Sequence, residues 1–241
     1  MAEARRFSRP TLIIGIALVA VIVLGLIAIL IGRAARHGDG RGGPATISAP
    51  VDGRGSAVLE VLDGVSELRL HADAPGSDLY RITGTGVTPR TDHDGDTFRL
   101  RLNPIGDGST STLDIAVSPR VTWSLRLDGG TQHTLIDLTA GRTNRIDLAG
   151  GSSRIEIALP HPDQPIPVRL TAGVDQFQIR LPAATPVRAQ LNSGAGQAII
   201  DGTPHQGIPA GQTFTANGWQ PSSPGVDIQA TSGIGTLTVE A

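Results

Sequence analysis

Short runs in which apolar and polar residues alternate recur along residues 123–241, and a glycine turn separates the two runs of each copy. The first copy has Leu125 and Leu127 before its turn and Ile136 and Leu138 after it. The turn glycines follow one another at intervals of 21 or 22 residues, and the last follows after 39: Gly130, Gly151, Gly173, Gly194 and Gly233. A fixed period of this kind is typical of stacked repeats, so the pattern predicts an array of small β-rich units.

Strict alternation places successive side chains on opposite faces of a strand, so each run predicts a short strand with one buried face. A single unit cannot bury its apolar face alone, and stacking aligns equivalent residues into columns. The predicted columns are Leu127, Leu148, Leu170 and Leu191, and Ile136, Ile157, Ile179 and Ile200. We therefore predict an all-β fold, a right-handed β-solenoid-like stack of coils of about 21 residues. A β-sandwich of the same hairpins is the alternative.

The same pattern precedes the regular repeat. Residues 57–72 carry two alternating runs around Gly64. Two further runs, at residues 79–82 and 97–102, flank an Asp-Gly pair, which predicts that they form a β-hairpin. Residues 113–117 predict another strand, which Pro119 ends because proline cannot continue a ladder.

An apolar run without charges occupies residues 11–32 and is 22 residues long. As a helix it spans roughly 33 Å, enough to cross a hydrocarbon core of about 30 Å. A cleaved signal peptide has an apolar stretch of only about 7 to 15 residues, so the run favours an uncleaved single-pass transmembrane helix. Three arginines flank it on each side, so the orientation is not set by their count. A short arginine-bearing N-terminus favours an outward-facing C-terminal domain.

The predicted organisation is a short basic N-terminus at residues 1–10, the transmembrane helix at 11–32, a flexible linker at 33–49 and a β-repeat domain at 50–241. The linker assignment rests on its glycine, proline and charge content. We expect the protein to lie in the cell membrane, contacting lipid through residues 11–32, with the β-repeat domain on the extracytoplasmic side.

The composition narrows the classes of function. The chain has 31 glycines and 3% aromatic residues, as a turn-dense all-β chain does. Its net charge is −2 and every basic residue is arginine, so no basic face for nucleic acid is expected. The absence of cysteine from the sequence excludes disulfides and thiolate metal sites.

Candidate chemistry in the sequence is sparse. The acidic segment 92–96 (DHDGD) lacks the spacing of an EF-hand, and it predicts a solvated hairpin tip, with a weak calcium site as the alternative. The six histidines are scattered without metal-ligand spacing. No nucleophile elbow or phosphate-binding loop is present in the sequence. We therefore expect no enzyme activity, no cofactor, no metal and no small-molecule substrate.

Trp219 is the one residue that we single out as a candidate partner-binding residue. It lies in the long insertion between residues 202 and 225, away from the repeat, in a chain with only two tryptophans. One interpretation is a cap that protects the end of the stack from edge pairing. The other is a contact for a protein partner or a glycan. Trp123 opens the first regular coil and is expected in the core.

The chain resembles the toast-rack class of membrane-associated β-repeat domains, which includes the C-terminal domain of LiaF-type cell-envelope stress proteins and the bacterial putative-adhesin domains. The segments that carry the resemblance are 123–130 (WSLRLDGG), 146–151 (IDLAGG), 155–160 (IEIALP), 167–173 (PVRLTAG), 177–182 (FQIRLP) and 232–239 (SGIGTLTV). The resemblance covers residues 45–241 and implies a membrane-tethered, non-catalytic domain. LiaF-type proteins usually carry several membrane helices, whereas this chain has one predicted helix.

Three functions follow as hypotheses. The first is an interaction or scaffold module at the cell envelope, with a protein partner and a possible place in the envelope stress response. The second is a surface adhesin or glycan-binding domain, which the low aromatic content disfavours. The third, a carbohydrate-active enzyme, needs clustered acids in a groove, which the sequence does not predict.

Overall fold

The computed structural model describes residues 43–106 and 110–241, and these residues form β-strands joined by turns. The all-β prediction is confirmed for them. Nineteen strands lie in this part of the chain: β1 Ala45–Pro50, β2 Ser56–Val61, β3 Val65–His71, β4 Asp78–Thr85, β5 Val87–Asp94, β6 Thr97–Pro104, β7 Thr112–Val117, β8 Thr122–Leu127, β9 Thr131–Asp137, β10 Arg142–Leu148, β11 Ser152–Ala158, β12 Pro165–Leu170, β13 Val174–Arg180, β14 Val187–Leu191, β15 Ala195–Ile200, β16 Thr203–Ile208, β17 Gln212–Ala216, β18 Gly225–Ala230 and β19 Ile234–Glu240.

No helix in the described ranges is long and apolar enough to cross a membrane. The predicted transmembrane helix at residues 11–32 and the basic N-terminus at 1–10 lie outside those ranges. β1 begins at Ala45, so regular structure starts within the last residues of the predicted linker.

The strands form two sheets that enclose one hydrophobic core. Sheet A has ten strands in the order β1-β4-β7-β3-β9-β11-β13-β19-β15-β16. Sheet B has nine strands in the order β17-β14-β18-β12-β10-β8-β2-β6-β5. The inner strands of both sheets pair in parallel, which is the pairing that stacked coils predict.

Seven coils make up the stack, and each places one strand in each sheet. In spatial order they are β6–β7, β2–β3, β8–β9, β10–β11, β12–β13, β18–β19 and β14–β15. This order departs from the chain order at both ends. The C-terminal coil lies between the coils β12–β13 and β14–β15, and the coil β2–β3 lies between β6–β7 and β8–β9.

The predicted columns exist, with one correction. Leu127, Leu148 and Leu170 align across β8, β10 and β12. Leu170 then pairs with Ala230 of the C-terminal coil, and Ala230 pairs in turn with Leu191. In the other sheet Val239 separates Ile179 from Ile200 in the same way. The prediction that the coil with Leu191 and Ile200 stacks directly on the coil with Leu170 and Ile179 is therefore wrong.

Trp123 is the largest side chain of the core and is fully buried, as expected. Its indole nitrogen donates a hydrogen bond of 3.0 Å to the carbonyl of Ser118. Every buried side-chain polar atom in the described residues has a hydrogen-bond partner. The interior is thus mostly apolar, and its few polar side chains are hydrogen-bonded.

Antiparallel strands close both ends of the stack. At one end β4 pairs with β7 and β5 pairs with β6; at the other β16 pairs with β15 and β17 pairs with β14. The predicted hairpin between residues 79–82 and 97–102 is wrong, because the partner of β6 is β5. The residues just before the Asp-Gly turn are mostly polar and show no alternation, so the sequence pattern did not predict β5.

Candidate interaction surface

Trp219 lies just beyond β17, on the outer side of sheet B. Asn217 and Gly218 have positive φ values of 53° and 68°, so the chain turns sharply before the tryptophan. The side chain of Asn217 donates a hydrogen bond of 3.1 Å to the carbonyl of Thr185 and fixes this turn. The ring of Trp219 is partly buried, and the guanidinium carbon of Arg188 lies 4.4 Å from its centroid.

Arg188 is held in place by Asp227. The guanidinium of Arg188, on β14, donates two hydrogen bonds of 2.7 Å to the two carboxylate oxygens of Asp227, on β18. Gln229 donates a third hydrogen bond, of 2.8 Å, to the same carboxylate. The hydrogen bonds from Arg188 to Asp227 raise the pKa of Arg188 above its ordinary value, despite partial burial. We call Arg188, Trp219, Asp227 and Gln229 the Trp219 cluster.

Planar donor pairs on a carboxylate fix both partners in orientation. The indole therefore rests on a cation that cannot easily rotate away, and such a contact contributes about 0.5–1 kcal/mol at an exposed site. One interpretation of Trp219 is a cap on the end of the stack, and at this end the outermost strands are β16 and β17, which precede Trp219 in the sequence. There the rings of His205 and Phe214 contact each other with centroids 4.7 Å apart.

A row of charged side chains crosses sheet B beside the Trp219 cluster. Strand register makes each residue the neighbour of the next, and the sign of the charge alternates along the row. We call this row the charge ladder: Asp92, Arg99, Glu60, Arg126, Asp147 and Arg169. Arg169 is paired in register with Gln229, so the ladder runs directly into the Trp219 cluster.

One neighbouring pair of the ladder is in direct contact, whereas Arg126 and Asp147 contact charged residues two positions away in the chain. Arg99 lies 3.1 Å from Glu60, and Arg126 lies 2.8 Å from Asp128, just beyond its own strand. The pKa of Arg126 is raised, first by its hydrogen bond to Asp128 and further by the charges of Asp128, Glu60 and Asp147. Exposed pairs of this kind contribute little to stability, about 0–1 kcal/mol each. The ladder therefore contributes little to the stability of the fold.

The outer face of sheet A carries a second polar network, centred on Glu156. Its carboxylate lies 3.1 Å from Arg180, 3.3 Å from His133 and 3.7 Å from Arg154. A shallow depression of about 150 Å³ lies beside it, lined by side chains of β11, β13 and β19. It is too small for the pockets of about 300–1,000 Å³ that hold drug-sized ligands.

His71, at the end of β3, contacts two carboxylates. Its Nε2 lies 3.2 Å from Asp114, and its Nδ1 contacts Asp73. Burial of the ring lowers the pKa of His71, but the hydrogen bonds to Asp114 and Asp73 and the charges of both raise it more. The pKa therefore lies above its ordinary value.

The acidic segment 92–96 comprises the exposed end of β5 and the turn into β6, as predicted for a hairpin tip. Asp96 accepts a hydrogen bond of 3.1 Å from Arg54. Within the residues that the structure describes, no group of three or more histidine, aspartate or glutamate side chains is placed to hold a metal ion.

The sequence prediction named Trp219 but missed Arg188 and Asp227. A signal for that pair exists in the repeat itself. Gly194 and Gly233 are 39 residues apart, and Arg188 and Asp227 have the same separation. Opposite charges at equivalent positions favour neighbouring copies, although Arg145 and Asp227 share this property and lie on strands that β12 separates.

Several solved structures align with most of the chain, and one of them has a TM-score above 0.5. It is a putative cell adhesion protein from Clostridium sporogenes, with a TM-score of 0.66 and 13% identity over 83% of this chain and 99% of that one. The chain has the fold of that protein. Putative adhesins from Bacteroides fragilis and Parabacteroides distasonis align with TM-scores of 0.26 and 0.23, at 9% and 11% identity over 83% of this chain and 98% of each. No protein-family model matches the sequence, and no curated protein matches it.

Proposed function

We propose that this protein is a membrane-anchored, non-catalytic β-repeat module that binds a protein partner through the outer face of sheet B. The observation that carries the proposal is Trp219 stacked on the Arg188–Asp227 pair, next to a ladder of alternating charges. Tryptophan and arginine are the residues most enriched at the energetic centres of interfaces. The right-handed winding of the stack, the helix at residues 11–32 and the extracytoplasmic location are parts of this proposal.

The two features have separate roles in the proposal. In the Trp219 cluster the indole supplies an apolar anchor, and the Arg188–Asp227 pair holds it in place. Little side-chain freedom is therefore lost on binding. The charge ladder supplies register, because a partner shifted by one strand meets like charges along the row. A place in the envelope stress response rests on the sequence resemblance alone.

Site-specific photo-cross-linking in intact cells tests the proposal. A benzoylphenylalanine at Trp219 or at Gln190, which neighbours Gln229 in register, is expected to cross-link one protein other than this chain. The matched control is Thr238, on the outer face of sheet A, which is expected to give no such product. Equal products from both faces, or none from sheet B, would refute this partner surface.

A surface adhesin or glycan-binding domain is the second candidate. It is favoured by the Trp219 cluster, because an aromatic ring beside a carboxylate and an amide can hold a sugar ring. The matched solved structure is also a putative cell adhesion protein. Glycan binding that is lost in Trp219→Ala, without a protein cross-link from residue 219, would select this candidate over the first.

A further inference from the structure

The outermost strands of the two sheets differ in their protection against pairing with another strand. β5 contains Pro89 and several charges, β1 ends in Pro50, and β16 contains Pro204. β17, with the sequence QTFTA, contains neither proline nor a charged residue. Proline and charge are the devices that protect an edge. β17 is therefore the least protected edge strand in the described residues.

The free side of β17 is available for a ladder. β17 pairs with β14 along one side, and no strand among the described residues pairs with its other side. Thr213 and Thr215 are exposed on the outer face of this strand. Their β-branched side chains suit a paired strand, and the outward N–H and C=O groups of an edge form a template for one.

The core is also incompletely covered at this end. Phe98 and Phe177, which lie between strands on both sides, are only 3% and 1% exposed. Phe214, on β17, is only partly buried, and it packs on the core beside His205. A further layer beyond β17 would bury this aromatic pair, as the neighbouring strands bury Phe98 and Phe177.

We propose that a second copy of this chain pairs with β17 by its own β17, antiparallel and about a two-fold axis close to Phe214. An isologous contact needs a self-complementary strand, and β17 brings no like charges into opposition with itself. The axis is perpendicular to the sheets, so β16 of each copy lies opposite β16 of the other. Pro204 interrupts a ladder there, so these two strands meet through side chains, and both His205–Phe214 pairs become buried. Head-to-tail growth would place β17 against β5, with Pro89 and its charges. A closed dimer is therefore favoured over a filament. It uses an edge, whereas the proposed partner surface uses a face, so each stands or falls separately.

Cysteine cross-linking provides a direct test, because the natural chain has no cysteine. In the proposed dimer Thr213 lies diagonally across from Thr213 of the second copy, roughly 7–8 Å away. We expect the full-length Thr213→Cys protein, in detergent or in membranes, to form a dimer with a short bismaleimide. Thr238→Cys, two strands in from the edge of sheet A, is the matched control and is expected to give no cross-linked dimer. Absence of the Thr213 product, or equal products at both positions, would overturn the proposal.

Light scattering of the full-length protein in detergent provides the second test. In the double variant Thr213→Lys and Thr215→Lys, charges of the same sign meet across the axis, so the dimer dissociation constant is expected to rise at least tenfold. The same change at Thr236 and Thr238 repeats the spacing on a central strand and is expected to leave the constant within about twofold, with circular dichroism verifying the fold of both. Dimerisation that persists in the β17 variant, as it would through residues 11–32, refutes the edge contact.

Discussion

At the scale of single residues, the outer faces of the sheets are organised by ion pairs that join strands distant in the sequence. His71 is the clearest case, because its ring bridges Asp114 on the neighbouring strand and Asp73 just beyond its own. The contact with Asp114 joins residues 43 positions apart. Local sequence could not have predicted it, since it depends on the pairing of β3 with β7.

His71 makes the stability of the domain depend on pH. Its folded pKa is raised above the ordinary value of about 6.5, so the stabilisation is fully present below that value and is lost as the pH rises through the folded pKa. We expect His71→Gln to lower the free energy of unfolding by up to about 1 kcal/mol at about pH 5.5, and by much less at about pH 9. Chemical denaturation at the two pH values measures this.

His161→Gln is the control for the pH experiment. The ring of His161 contacts the backbone carbonyl of Pro162 rather than a carboxylate. The loss of unfolding free energy caused by His161→Gln, measured against the natural protein, is therefore expected to be the same at both pH values. An effect of His71→Gln that is the same at both pH values would show that the ring stabilises the fold by packing alone.

At the scale of elements, the strands and their turns follow from local patterns, whereas their order does not. Alternation identified the strands of the coils, and glycine marked the turns where neighbouring coils touch through backbone. Every coil has nearly the same pattern of apolar residues, so this pattern does not specify which coil stacks on which. The position of β18–β19 is visible only in the paired charges of Arg188 and Asp227. β5 and β17 were missed because each turns at most two apolar side chains inward, which is too few for a recognisable alternation.

The glycine turns differ in how closely the coils approach. A Cβ on Gly150 would overlap the carbonyl of Gly129 in the adjacent turn, whereas a Cβ on Gly233 would meet no atom within 4 Å. We expect Gly150→Ala to lower the free energy of unfolding by about 1–3 kcal/mol, because backbone atoms must move apart. Gly233→Ala is expected to change it by less than about 0.5 kcal/mol. Thermal or urea unfolding of the two variants measures the difference, and equal losses would contradict the close approach.

At the scale of the whole described domain, the last coil in the sequence is not the last coil in the stack. β14–β15 lies beyond the place of the next coil, and β18–β19 then enters between β12–β13 and β14–β15. Both strands of the C-terminal coil are thus paired on both sides. The sequence period indicated a last copy at the C-terminus but did not place it within the stack, because period alone carries no information on spatial order.

This arrangement predicts an unusual pattern of hydrogen exchange in the full-length protein. The last residues of a domain usually fray and exchange rapidly. Here residues 225–240 have a partner strand on each side, and their inward side chains Val226, Ile228, Leu237 and Val239 are fully buried. In the double variant Thr213→Lys and Thr215→Lys, whose β17 is not expected to pair with a second copy, we expect the amides of residues 225–240 to exchange at least tenfold more slowly than those of β16 and β17, which precede them in sequence but lie at the edges of the sheets. Exchange followed by mass spectrometry of peptic fragments resolves the two regions. Protection in β16 and β17 that equals or exceeds that of residues 225–240 would mean that the C-terminal coil lies outside the stack, and the order of the seven coils would have to be redrawn.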